Sequence, residues 1–279
     1  LENIRAGWYL WLFTLPVMLD TFYQVSVVGI LWNLVAIPLL PVIIASGGLG
    51  VVLAGWNIFL GSLAGSPAYG MLQLYQEIGN ISEKLPVGMW TPGQPSKPVI
   101  AGYYLVIFLL VLVEKQLIKR EKRWKIRKIF PGMELCSMLL LLLLMAHPWQ
   151  QREKITFLDV GQGDASLLQS GGQTLLLDGG STSQKNVGTY VILPYIKQQG
   201  ISCLEAVVLT HTDQDHINGV TEVLEEGKKG WLTVKNLMYP YWMEGTEQGK
   251  QLKKLAEEAG ASCRKIRAGD RLTIGKAEA

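Results

Sequence analysis

Six consecutive residues, His211-Thr212-Asp213-Gln214-Asp215-His216, bring two histidines and two carboxylates together directly after the apolar run 206–209. The chain has 3 histidines, so this segment holds two of them. Imidazole nitrogens with carboxylate oxygens suit zinc or a similar divalent ion, and such a cluster can serve one ion or two. Ions held in this way make a nucleophile from water at neutral pH. His211 and Asp213 are two positions apart, so an extended chain points them the same way. Asp215 and His216 are adjacent and diverge, which lets them reach a second ion. The plainer alternative is a polar turn whose aspartates cap a helix. Four ligand-type side chains in six residues weigh against it.

Two further loops could support such a centre. In Asp159-Val160-Gly161-Gln162-Gly163-Asp164, Gly161 and Gly163 permit a tight turn with exposed amides. Neither GxGxxG nor GxxxxGK[ST] is present, so a phosphate-binding loop is not specified. In Leu177-Asp178-Gly179-Gly180 a carboxylate stands at the end of an apolar run, with Gly179 after it. Gly219 would let backbone approach the cluster closely. The 3 cysteines, Cys136, Cys203 and Cys263, are widely spaced and lack CxxC, so neither a disulfide framework nor a cysteine zinc site is suggested.

The elements that must position these residues are strands and helices in alternation. Strands are predicted over residues 154–158, 165–169, 174–177, 203–209, 237–239 and 271–274, with Gly171-Gly172 as a hairpin turn. Helices are predicted over 190–199, 218–226 and 247–259. An opening meander followed by alternation implies a mixed α/β domain. The histidine segment falls where a strand ends and a helix begins, the usual place for a site in such folds.

The other half of the chain is of a different kind. Hydrophobic residues are 49% and charged residues 18% of the total, but residues 21–76 carry no Asp, Glu, Lys or Arg at all. About 20 apolar residues span a bilayer as a helix. Five spans are expected, around residues 7–19, 25–45, 49–63, 99–113 and 135–149, with Trp8, Tyr9 and Trp11 as an interfacial belt. Pro38 and Pro41 are tolerable inside a membrane helix, and the Gly and Ala of the third span favour close packing. Residues 66–85 could form an interfacial helix. The basic run 114–128 lies between two spans, and the positive-inside rule places it in the cytoplasm. Alternation then puts Asp20, residues 64–97 and everything after Trp149 outside. The net charge of +3 is too small to argue nucleic-acid binding. The division is thus residues 1–150 as membrane helices and 151–279 as a soluble domain.

Taken in order, Phe157-Leu158-Asp159-Val160-Gly161-Gln162-Gly163-Asp164-Ala165, Leu176-Leu177-Asp178-Gly179-Gly180 and the segment ending at His216 resemble the metallo-β-lactamase-like domain of the ComEC competence proteins. Phe22-Tyr23-Gln24-Val25-Ser26 and Leu31-Trp32-Asn33-Leu34-Val35-Ala36-Ile37-Pro38-Leu39 resemble the last part of that family's membrane channel. The resemblance implies an α-helical polytopic membrane region followed by an αββα sandwich domain of the metallo-β-lactamase-like class. It implies a multi-pass protein of the cell membrane, in contact with lipid and with other competence machinery proteins. It also implies import of single-stranded DNA during natural transformation, with an extracytoplasmic hydrolase degrading the other strand.

By the superfamily's HxHxDH pattern, His211 and Asp213 would bind one ion and Asp215 and His216 the other. Asp215 would also orient the attacking water, and Asp178 would lie beside the site as a supporting or ligating carboxylate. The second motif position here is Asp213, not histidine, which favours a mononuclear site or a harder ion: zinc first, manganese as the alternative. Superfamily members supply later ligands from beyond the stretch present here, so the carboxyl-terminal half of the sandwich is expected to lie outside this sequence. Two other functions fit parts of the pattern. One is a translocation pore whose hydrolase fold only binds DNA, and the other is a membrane-anchored metallo-hydrolase of small molecules.

Overall fold

A computed structural model describes residues 2–83, 89–119, 153–275 and 277–278. Its first part runs α1 (Glu2–Phe22), β1 (Val25–Ser26), α2 (Gly29–Ala54), α3 (Ile58–Glu83), β2 (Met89–Trp90) and α4 (Lys97–Lys119). The expected spans 25–45 and 49–63 are cut differently here. Helix α2 contains Pro38 and Pro41 and continues to Ala54. The break falls just before α3, where the Asn57 side-chain oxygen accepts from the Phe59 N–H at 2.8 Å and caps the new helix. Residues 66–83, expected at the interface, simply continue α3.

Glycine is what lets α2 and α3 pack backbone to backbone. A Cβ on Gly50 would lie 2.9 Å from the Gly65 Cα, and one on Gly61 would lie 2.6 Å from the Ala54 Cα. Among the described helices one stretch, Ala36–Ala54, is long and apolar enough to cross a membrane, and Leu10–Phe22 and Lys97–Leu112 are shorter apolar stretches. The expected span 135–149 and residues 120–128 of the basic run lie outside the described residues.

Helices α1 and α4 are tied together. Tyr103 is fully buried with Leu15, Leu19 and Val25, and its hydroxyl donates to the Leu12 carbonyl at 2.7 Å. Lys97 meets Asp20 at 2.7 Å. Strands β1 and β2 pair antiparallel, Val25 against Trp90.

The second part is built on a six-stranded sheet of order β10-β9-β7-β5-β4-β3. Its strands are β3 (Lys154–Phe157), β4 (Ser166–Ser170), β5 (Gln173–Leu177), β7 (Ala206–Val208), β9 (Asn236–Pro240) and β10 (Ser262–Ile266). The first three form an antiparallel meander, and β5, β7, β9 and β10 are parallel. Gly171 and Gly172 turn the β4–β5 hairpin with φ of 56° and 81°, the mirror-image turn that matches strand twist.

Register puts Leu167, Leu176, Val207 and Leu237 in one row across four strands, each fully buried. This face receives all three helices: α5 (Leu193–Gln198), α6 (Gln214–Gly227) and α7 (Glu247–Glu258). Leu175, Ala206 and Val208 face the other way, toward Ile274 of β11 (Thr273–Ile274).

Several predicted boundaries change. The expected strand 203–209 is two strands, because Glu205 leaves the line and donates its N–H to the Thr174 carbonyl at 2.8 Å. Its first half, β6 (Cys203–Leu204), pairs with β8 (Thr233–Val234). A π-helical turn, Gly188–Ile192, precedes α5. Helix α6 begins four residues before its predicted start, which places Asp215 and His216 in its first turn.

Candidate metal centre

The site lies where β5 and β7 end and α6 begins. After β5 the chain reaches Asp178 in a left-handed conformation, φ 51°, uncommon outside glycine and tolerated best by Asp and Asn. After β7, Leu209 still donates to the Met238 carbonyl at 2.8 Å, and Thr210-His211 then leave the sheet. Asp213 occupies the N-cap of α6 with extended backbone, but its side chain makes no capping hydrogen bond. The plain capping role is therefore not what this carboxylate does.

His211, Asp215 and His216 each offer one ligand atom, and these atoms lie within 4.8 Å of one another. The His216 Nε2 is 3.7 Å from an Asp215 oxygen and 3.8 Å from an Asp164 oxygen. The two imidazole centroids are 3.6 Å apart. Asp213 lies just outside the three-residue cluster: its carboxylate is 76% exposed, with one oxygen 3.6 Å from the His211 Nε2.

Asp178 is 3% exposed and organises the cluster from beneath. It accepts from the Thr210 N–H at 2.9 Å, from the Thr210 hydroxyl at 2.7 Å and from the His216 Nδ1 at 3.0 Å. The Thr210 hydroxyl has one proton, and Asp178 takes it. The same oxygen lies 2.8 Å from the His211 Nδ1, so it accepts there and His211 donates. Both histidines thus carry their proton on Nδ1, which leaves both Nε2 lone pairs free for an ion. The donor set of two imidazole nitrogens and a carboxylate fits a zinc-like divalent cation. Asp178 is not one of these three residues, but it is hydrogen-bonded to His216 and to Thr210 beside them.

Glycine brings the three loops within contact. A Cβ on Gly163 would lie 2.2 Å from the Gly180 oxygen and 2.8 Å from the Asp215 oxygen, and one on Gly180 would lie 2.4 Å from the His216 nitrogen. Gly161 has φ 74° and packs under Ser183. Gly179 donates to the His216 carbonyl at 2.9 Å and accepts from the Val220 N–H, and a Cβ on Gly219 would lie 2.6 Å from the Gly179 oxygen. Asp164 donates its N–H to the Asp215 carbonyl at 3.1 Å. Sequence reasoning gave no role to Asp164 or Thr210. Asp164 closes the glycine loop, and Thr210 directly precedes His211, so adjacency to the motifs was the available signal.

Residues 2–117 match the family described as Competence protein, and residues 158–275 match the Metallo-beta-lactamase superfamily. The first part of the chain is thus similar to the Competence protein family, and the part built on the six-stranded sheet is similar to the Metallo-beta-lactamase superfamily. The chain is 27% identical over 280 residues to ComE operon protein 3 of Bacillus subtilis (strain 168), covering 94% of this chain and 34% of that protein. It is 29% identical over 241 residues to Recombination protein 2 of Haemophilus influenzae, covering 77% of this chain and 29% of that protein. The chain thus spans about a third of the length of these curated relatives. A solved metallo-beta-lactamase fold protein of Bacillus subtilis aligns at 22% identity over 42% of this chain and 43% of that one, with a TM-score of 0.30.

Proposed function

We propose that this chain serves DNA uptake across the cell membrane in natural transformation, with residues 1–150 as multi-pass membrane helices and 151–279 as a metal-dependent hydrolase that degrades the strand not imported. The observation that carries the proposal is the cluster of His211, Asp215 and His216 with its two free Nε2 atoms, in a chain whose other half matches the Competence family. A divalent ion held there, zinc or with manganese as the alternative, would lower the pKa of water and neutralise charge developing on a phosphate. His211 and His216 would supply imidazole nitrogen ligands. Asp215 would supply a ligand oxygen and would help orient the attacking water. Asp213, exposed beside His211, would extend the donor set to a second ion. The amino end of α6 adds a local positive potential suited to an anionic substrate. DNA, membrane lipid and other competence machinery proteins are the proposed partners.

The hydrolase domain is proposed to lie outside the cytoplasmic membrane. Two observations support that placement: the basic run between expected spans, and the contact of Gln94, in the α3–α4 connection, with Gln198 of the hydrolase domain. The test follows both strands of labelled DNA in transformable cells carrying the chain within its native gene. Loss of degradation, with uptake of one strand retained, is expected for His211→Ala and Asp215→Ala. Unaltered degradation in both variants would leave the domain as a DNA-binding fold only.

A further inference from the structure

We infer that the segment 89–97 and the carboxyl end of α5 form a docking junction that seats the hydrolase domain on the membrane helices, with the metal cluster at the opposite edge of the sheet. Gln94 is its centre. Its backbone N–H donates to the Gln198 carbonyl at 2.9 Å, and its side-chain oxygen accepts from the Gln198 amide at 2.8 Å. Its own amide nitrogen donates to the Asp20 carboxylate at 2.9 Å. Lys97 donates to the same carboxylate at 2.7 Å. Gln94 therefore links the end of α1 to the end of α5, and Asp20 joins the start of α4 to them through Lys97.

The backbones beside it meet too closely for side chains. A Cβ on Gly93 would lie 2.8 Å from the Gly200 nitrogen, and one on Gly200 would lie 2.6 Å from the Pro92 oxygen. Both glycines have positive φ, 91° and 67°. Such mutual clearance, with both residues in the glycine-favoured region, marks a built contact rather than a chance approach. Trp90 and Trp231 line a cleft next to it, and tryptophans are the residues that settle at a bilayer–water boundary.

The sheet topology then fixes where the cluster points. Strands β5 and β7 are parallel, so the connection through α5 runs back toward their amino ends. The π-helical turn and α5 together cover residues 188–198, which at 1.5 Å per residue separates the two edges by about 16 Å. Gly188 lies at the cluster end, where its Cβ would be 2.5 Å from the Gly219 oxygen. Gln198 lies at the junction end. A substrate would therefore reach the cluster from water on the side away from the bilayer, so the strand segment being cut is not the segment inside the channel.

The junction stands on contacts and depends neither on the metal nor on what is hydrolysed. The test is disulfide trapping in membranes carrying the full chain, with Cys136, Cys203 and Cys263 replaced by serine. Gln94→Cys with Gln198→Cys should cross-link on mild oxidation, while Gln94→Cys with Lys185→Cys, an exposed position at the cluster edge, should not. Adding Gly200→Val to the first pair should lower its cross-linking at least tenfold. Val223→Cys, fully buried in the core of the domain, should stay protected from a maleimide in the Gly200→Val background, which separates loss of docking from loss of folding. Equal cross-linking of the two pairs, or none for the first pair, overturns the junction, and neither outcome bears on the DNA reading.

Discussion

Replacing Asp178 with asparagine separates a supporting carboxylate from a ligand. Three donors converge on its two oxygens: the Thr210 N–H, the Thr210 hydroxyl and the His216 Nδ1. Asparagine keeps the shape and tolerates the left-handed backbone, but it offers one acceptor oxygen. If that oxygen serves Thr210 Oγ1 and His216, the amide nitrogen faces the Thr210 N–H, and a buried donor without a partner costs about 1–3 kcal/mol. If the amide flips, its nitrogen faces His216, which must move its proton to Nε2 and lose its free lone pair. The first arrangement destabilises the metal-free chain, and the second weakens the ion site. Loss of such outer partners lowers metal affinity roughly 10–100-fold, about 1.4–2.8 kcal/mol. Chelator competition for zinc reads the affinity, and thermal melting of the metal-free chain reads the stability. Unchanged values in both assays would refute the proton arrangement derived for the two histidines. A loss as large as that of His216→Ala would make Asp178 a ligand instead.

Gly163→Ala should cost about 1–3 kcal/mol of stability in the domain built on the six-stranded sheet, the range for overpacking, because its Cβ would lie 2.2 Å from the Gly180 oxygen. Gly245→Ala, with nothing within 4 Å, should leave the melting midpoint nearly unmoved. Asp213→Ala should weaken zinc binding less than His211→Ala in the same chelator competition, since its carboxylate lies outside the three-residue cluster; an equal loss would place Asp213 among the primary ligands. Burial raises the thiol pKa of Cys203 and of Cys263, so at neutral pH less thiolate is present than in free cysteine. Alkylation of a Cys136→Ser chain should be slow at neutral pH and accelerate on the alkaline side; rates equal to free cysteine would contradict the burial.

The histidine segment was legible because four ligand types are contiguous, and contiguity survives folding. Asp178 was legible as a carboxylate at a strand end, but its partners were not. Thr210 and His216 reach it only when β5 and β7 pair in parallel and α6 starts at Gln214. Asp164 approaches His216 across more than fifty residues of sequence, a convergence no local pattern encodes. Strand β10 is not legible in the sequence because Arg264 and Lys265 interrupt any apolar alternation, as charges on an edge strand do. Unbroken apolar composition hid the boundary between α2 and α3, which is set by the Asn57 cap and by the clearance at Gly61. The junction at Gln94 was invisible in a proline-rich loop, since its partners, Asp20 and Gln198, are remote in the chain.

The most direct test of the metal centre is the zinc and manganese content of the purified protein expressed from the chain's native gene, measured beside that of its His211→Ala/His216→Ala variant. A stoichiometric ion in the parent chain that is absent from the double variant is the predicted result. A parent chain that takes up neither ion after metal is supplied, or a double variant that retains it, would contradict the assignment.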